Sequence, residues 1–364
     1  MISNRKDDHV RLAAEQRRQP EQPNEFDDVR LVHHALTGID RREVDLTTTV
    51  AGMRWRVPIY INAMTGGSAA TGRLNRELAV AARETGVAIA TGSQSAFLAD
   101  SSTADTFRVV RRENPDGFVL ANINATIGLD DARRAVDLLE ADALQIHLNS
   151  VQETVMPEGD RSFREWASAI ERIAGGVSVP VIVKEVGFGL SRETVALLSD
   201  LGVAAADVAG RGGTNFAMIE NGRRPGGEYR FLADWGQSAP ACLLDSAGLG
   251  VPLLASGGVR HPLDVVRGLA LGAVAVGVSG RFLATLVDRG PAALVEDITT
   301  WVDQLAALMT TLGAATPAAL ADCDVVVRGE LAAFCAARGI AVGDLATRRA
   351  RTAPAIRTTP AVPV

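Results

Sequence analysis

The chain has 364 residues, 47% of them hydrophobic and only 4% aromatic, with a formal net charge of −6. That balance suits an α/β protein with buried parallel strands and Ala-rich helices, and it argues against nucleic acid, which needs a broad basic face. No apolar run reaches the roughly 18 residues of a membrane span. The N-terminus lacks an apolar signal core, so the expectation is a cytoplasmic protein.

In chain order, residues 1–56 are polar and charged and read as an N-terminal extension or lid. Short apolar segments then recur about every 30 residues with helical patterns between them, the rhythm of βα units. Predicted strands cover Pro58–Ala63, Val87–Thr91, Phe118–Asn122, Ala143–Leu148, Pro180–Lys184, Ala204–Ala209, Pro252–Ser256 and Ala273–Gly277. Predicted helices include Asn75–Thr85 before Gly86, Asp130–Glu140 with an acidic first turn, and Arg192–Asp200 after a Ser191 cap. Eight such units predict a closed (β/α)8 TIM barrel over 57–290, an open doubly wound sheet being the alternative. Residues 291–347 read as C-terminal helices, strongest over Trp301–Leu312, and 348–364 as a mobile tail. Cys242, Cys323 and Cys335 form no CxxC pair, so neither a disulfide framework nor a zinc site is expected.

Function in such a barrel gathers where strands end. The first strand runs into Asn62-Ala63-Met64-Thr65-Gly66-Gly67, the second into Gly92-Ser93-Gln94-Ser95, and Asn122 and Asn124 close the third. The fourth ends in the densest block, His147 to Arg161, where alternation puts His147 and Asn149 on one side, with Gln152 and Glu153 following. A carboxylate there can hold Mg2+, which also binds phosphate oxygens. Lys184 ends an apolar run, so it either snorkels to solvent or faces an anion such as a reduced flavin. The last two loops, Ser256-Gly257-Gly258-Val259-Arg260 and Gly277-Val278-Ser279-Gly280, occupy the usual phosphate-binding position of these barrels. There is neither a Walker A loop nor a GxGxxG at a strand end.

Taken in order, these segments, together with Arg5-Lys6-Asp7-Asp8-His9, Lys184-Glu185-Val186-Gly187 and Gly212-Gly213-Thr214-Asn215, resemble the type 2 isopentenyl-diphosphate Δ-isomerases, FMN enzymes, from about Arg5 to about Leu283. The resemblance implies FMN contacts at Ala63, Met64, Thr65, Ser93, Asn122, Lys184 and Thr214. It implies a phosphate site at Gly257, Gly258, Arg260, Ser279 and Gly280. Substrate would meet Arg5, Lys6, His9, Ser93, Gln94, Ser95, His147, Asn149 and Gln152, and Glu153 would hold Mg2+. Gln152, His147 and Lys184 would carry catalysis. The implied reaction is a 1,3-proton shift between isopentenyl and dimethylallyl diphosphate in isoprenoid biosynthesis, needing reduced FMN with NADPH or NADH as reductant, in a homo-oligomer (tetramer or octamer). Members often carry Arg or another larger residue at the place of Ser95, and many carry Ser where this chain has Ala209. Two rival readings are an FMN-dependent 2-hydroxy-acid oxidoreductase and a non-catalytic flavin-binding protein on the same barrel. The oxidoreductases need a His base and an Arg after the sixth strand, and the segment Ala209 to Thr214 holds no His.

Overall fold

A computed structural model describes residues 2–18, 23–36, 38–224 and 226–349. Eight parallel strands close into a barrel: β1 (Ile59–Ile61), β2 (Ala88–Ala90), β3 (Val119–Asn124), β4 (Ala143–Leu148), β5 (Val181–Glu185), β6 (Ala205–Asp207), β7 (Leu253–Ser256) and β8 (Ala275–Val278). Closure is through β8 and β1, with Val276 opposite Ile59. Each predicted strand is present, and the differences lie at the ends. Strand β6 stops at Asp207, where the predicted segment ran to Ala209, because Ala209 turns the chain at φ 36°. Strand β3 runs on to Asn124, which pairs with His147.

Side chains alternate across a strand, so every second residue enters the barrel. The lower interior is apolar: Leu120, Ala143, Ile182, Ala205, Leu254 and Ala275 cluster around Tyr60. An antiparallel pair, Thr48–Val50 with Met53–Trp55, adds Val50 and Trp55 to this cluster, the Trp55 ring 5.4 Å from that of Tyr60. Two residues further along the strands the interior turns polar, with Asn62, Asn122, Gln145, Lys184, Asp207 and Ser256 all buried. This switch from apolar to polar marks where the core ends and a site begins.

The outer helices follow their sequence signals. Ser68 caps a helix over Ala69–Thr85 by accepting from the Thr71 amide, which lengthens the predicted Asn75–Thr85 by a turn and a half. Ser191 caps Arg192–Asp200 as expected. Trp301–Leu312 is the C-terminal half of a longer helix, Pro291–Leu312, which packs on Ala69–Thr85 and on the helices after β7 and β8. The N-terminal helix, Ile2–Arg18, lies on the helix Gly280–Arg289 and reaches the helix Phe216–Gly222. After it, Val29–Leu31 pairs antiparallel with Val325–Val327, joining the segments that precede and follow the barrel. The chain is still anchored at Arg349, whose amide donates to Asp324 at 2.8 Å, while 350–364 fall outside the described residues. No described helix is long and apolar enough to cross a membrane.

Candidate active site

A cavity of about 190 Å3 opens at the C-terminal mouth of the barrel. Its floor is the polar interior layer. Asp207, fully buried, accepts from the Tyr60 hydroxyl at 2.6 Å, the Asn62 amide at 2.8 Å and the Ser256 hydroxyl at 2.7 Å. Such a buried carboxylate is tolerable only because donors surround it. From Asn62 the bonding continues through Gln145, which donates to Asn62 Oδ1 at 3.3 Å, and Asn122, which donates to Gln145 Oε1 at 2.8 Å. It ends at His147, whose Nδ1 lies 2.9 Å from Asn122 Oδ1.

Lys184 stands beside this chain, 6% exposed, and donates to the Glu185 carbonyl at 2.7 Å. Burial pulls its ammonium below the usual lysine range, while the Asp207 and Glu185 charges oppose that. It therefore does not snorkel. Glu185 points the other way, accepting from the backbone N–H groups of Val186, Gly187 and Phe188 at 2.6, 2.7 and 2.6 Å. Burial pushes its carboxyl up to about 7 despite those bonds.

The His147 to Arg161 block supplies one wall. Strand β4 delivers His147, and a short helix, Ser150–Val155, carries Gln152 and Glu153. Asn149 donates to Glu153 Oε1 at 2.8 Å and lies 3.4 Å from Gln152 Oε1. Gln152 in turn donates to Glu220 at 2.9 Å. Glu220 is buried. Desolvation would lift its carboxyl, but His9, Gln152 and Arg223 together hold it at about 2. His9 Nε2 lies 2.9 Å from Glu220 Oε1. Through His9, Val10 and Ala13 the N-terminal helix becomes part of the cavity wall. Gln16 fastens that helix to Asn215 by two reciprocal bonds of 3.2 and 3.0 Å.

The opposite wall is backbone. Gly257 sits at φ 84°, and a Cβ there would fall 1.8 Å from the Gly210 carbonyl, so only glycine lets the loops after β6 and β7 touch. Gly257, Gly258, Ser279 and Gly280 line the cavity, and Gly280 opens a ten-residue helix whose first turn has no side-chain cap. Free N–H groups at a helix start facing a glycine cradle fit the phosphate of a flavin mononucleotide. Glu153 has both oxygens engaged, Oε2 by the Asp160 amide at 2.8 Å, yet each keeps a lone pair for a cation. The described residues contain no group of three His, Cys, Asp or Glu able to hold a metal, so a cation here would need oxygens from the ligand as well.

Of the residues singled out in the sequence, Ala63, Met64, Ser93, Ser95, Asn122, His147, Asn149, Gln152, Glu153, Lys184, Thr214, Gly257, Gly258, Ser279, Gly280 and His9 all face this one cavity. Three do not. Gln94 turns into the barrel wall, donating to the Ala135 carbonyl at 3.0 Å and accepting from the Asn122 amide at 3.0 Å. Thr65 is buried behind the lining, its hydroxyl without a partner among the described residues. Arg260 is held by Asp264 and Asp27 at 2.8 Å each, leaving the phosphate cradle to backbone groups. The Arg5 and Lys6 side chains lie outside the described residues. Sequence reading missed Asp207, Gln145, Tyr60 and Glu220. A signal existed for two: Gln145 and Asp207 are polar residues inside otherwise apolar strands, at the in-facing step of the alternation.

The sequence profile of the FMN-dependent dehydrogenase family matches residues 5–106 and 101–326. The chain is 67% identical over 344 residues to an isopentenyl-diphosphate delta-isomerase of Kitasatospora griseola, with 94% of each chain covered. It is 64% identical to one of Streptomyces sp. (strain CL190), covering 98% of each, and 46% identical to one of Listeria innocua serovar 6a, covering 95% of this chain and 97% of the relative. Among solved structures it is similar to a mandelate oxidase mutant (TM-score 0.62, 16% identity, 88% of this chain and 92% of the other). It is similar also to a lactate oxidase of Pediococcus acidilactici (0.61, 17%, 90% and 94%). At those identities the likeness speaks for the fold.

Proposed function

The chain belongs to the FMN-dependent dehydrogenase family and to the isopentenyl-diphosphate delta-isomerases within it; from that premise we propose that it interconverts isopentenyl and dimethylallyl diphosphate by a 1,3-proton shift in this cavity. Reduced FMN, when bound, supplies acid–base chemistry strong enough to protonate an alkene without net redox change. The observation that carries the reading is what faces the cavity: an amide, an imidazole and an ammonium from Gln152, His147 and Lys184. The runner-up, oxidation of a 2-hydroxy acid, needs a His and an Arg after β6. There Arg211 pairs with Glu25 at 2.6 Å and does not line the cavity.

The work of the chain is then to bind, orient and exclude water. Lys184, short of solvent, would offer its ammonium to the anionic form of the flavin, and Ala63, Met64, Ser93, Asn122 and Thr214 would hold the ring. Gly257, Gly258, Ser279 and Gly280 offer N–H groups to the phosphate. Thr65 supports this wall from behind, and Arg260 stiffens the loop through its two carboxylate partners. His147 and Asn149 orient substrate, and Gln94 acts indirectly by bonding the Asn122 backbone. Gln152 is held between Glu220, to which it donates, and Asn149, from which it accepts, and this fixes its amide at the cavity wall where it would orient or relay a proton. Glu153 would hold Mg2+, which would supply positive charge to the diphosphate, and His9, Ser93 and Ser95 in the cavity lining, with Arg5 and Lys6 of the N-terminal helix, would bind the same group. Ser95 is small, and its hydroxyl lies 2.8 Å from that of Ser93, so the pair offers two hydroxyls to the cavity. NADPH or NADH as reductant, a cytoplasmic setting and a homo-oligomer (tetramer or octamer) complete the proposal.

Two assays test it. Dimethylallyl diphosphate is allylic and ionises in dilute acid, whereas isopentenyl diphosphate does not. Acid-labile product should therefore grow when reduced holoprotein meets isopentenyl diphosphate and Mg2+. In the second assay, oxidised holoprotein mixed anaerobically with lactate or glycolate should keep its flavin absorbance. Prompt bleaching with no acid-labile product would favour the oxidoreductase.

A further inference from the structure

The polar layer under the cavity has a direction. Asp207 is a carboxylate that can only accept, and it takes the Asn62 Nδ2 donor at 2.8 Å. The other end of that amide is fixed independently, since Asn62 Oδ1 accepts from the Ala63 N–H at 2.8 Å. Turning the Asn62 amide over would set NH2 against N–H at one end and oxygen against carboxylate at the other. With Asn62 settled, Gln145 must offer Nε2 to it and turn Oε1 towards Asn122. Asn122 must then offer Nδ2 to Gln145 and present Oδ1 to His147. Asp207, Asn62, Gln145 and Asn122 are each at most 1% exposed, so bulk water cannot substitute for any step.

We propose that Asp207 is a positioning residue, and that the amide relay Asp207–Asn62–Gln145–Asn122 fixes His147 in the tautomer protonated on Nδ1. The neutral ring then has its acceptor at Nε2. The three members between the Asp207 carboxylate and His147 are amides, so the setting is passed on by hydrogen-bond direction. Ser256, Tyr60 and the Ala209 N–H hold the carboxylate in place at 2.7, 2.6 and 3.1 Å, which makes the anchor rigid. Gly277 is part of the same design. A Cβ there would fall 2.7 Å from the Tyr60 ring and 2.8 Å from Asn62 Nδ2, displacing two of the donors to Asp207. That the tautomer matters to turnover rests on the reading of His147 as a substrate-orienting group. The tautomer itself does not.

The test is made on holoprotein carrying 15N-labelled histidine, with the His147 resonances assigned by their loss in His147→Asn. Long-range 1H–15N correlation reads which ring nitrogen carries the proton. The wild type should show Nδ1–H. In Gln145→Met the relay is cut, Asn122 can face either way, and the single signature should give way to a mixture. In Gln145→Glu the side chain still accepts from Asn122 Nδ2, so the Nδ1–H signature should return. Turnover should fall at least about tenfold in the Met variant and recover in the Glu variant, with KM little changed. A wild-type proton on Nε2, or an unchanged Nδ1–H signature in Gln145→Met, would overturn the proposal, and the wild-type measurement stands whether or not the Met variant folds. A tautomer that shifts while turnover holds would support the relay and retire the reading of His147.

Discussion

At the residue scale, the site assigns different work to neighbours of similar chemistry. Gln152 and Gln145 are both buried amides, yet one faces the cavity and the other lies beneath it. Gln152→Ala should lower kcat about a hundredfold or more while FMN stays bound, a loss typical of removing a group that handles a proton. Near-normal turnover would remove Gln152 from the mechanism. Glu153→Gln keeps the shape and the acceptor for Asn149 but drops the charge. The Mg2+ concentration for half-maximal rate should rise about tenfold, and an unchanged metal titration would reject the ligand role. These side chains were legible in the sequence because a His, an Asn, a Gln and a Glu cluster just after a strand. Glu220 was not, because its significance comes from Gln152, 68 residues away in the chain, and a lone Glu in a helix looks like surface.

At the scale of elements, the loops after the strands hold the site and also strain the fold. The loop after β5 is pinned by the Glu185 carboxyl, whose value is raised from 4.5 to about 7 in the folded protein. Between those values the native state keeps a proton that the unfolded chain has lost. This contribution to stability therefore falls as pH rises through that window and levels off above it. Glu185→Gln retains an acceptor for the three N–H groups without the ionisation. Denaturant titrations at about pH 5 and about pH 8 should show the variant gaining on the wild type at the higher pH, and a pH-independent difference would contradict the assignment. The loop after β7 depends on Gly257: the Gly257→Ala protein should lose at least about 2 kcal/mol of stability or fail to bind FMN, read by thermal melting and flavin retention. Gly-Gly pairs are easy to see in a sequence, but which carbonyl a Cβ would strike is not. Arg260 illustrates the limit. Its position beside Gly257-Gly258 suggested a phosphate ligand, whereas Asp27, more than two hundred residues earlier, claims it.

On the scale of the whole molecule, the eight strands and their order were readable because parallel barrel strands are buried on both faces and stand out as apolar runs. The switch from apolar to polar inside the barrel was less visible, since a single Asp207 in Ala204–Ala209 or Gln145 in Ala143–Leu148 acquires meaning only when strands from opposite sides of the sequence meet. The N-terminal helix belongs to this scale too. It closes the cavity through His9 and Gln16, so the chain before the barrel helps to make the site. All of this converges on one reaction, a proton added at one carbon of a branched diphosphate and removed from another. Proton NMR of isopentenyl diphosphate in D2O, with holoprotein, Mg2+ and dithionite, follows it directly. Dimethylallyl signals should appear and lose intensity as deuterium enters at the exchanging carbons, and stripping the flavin should abolish the conversion. Undiminished isomerisation by the flavin-free protein, or no dimethylallyl signal from the reduced holoprotein, would contradict the account.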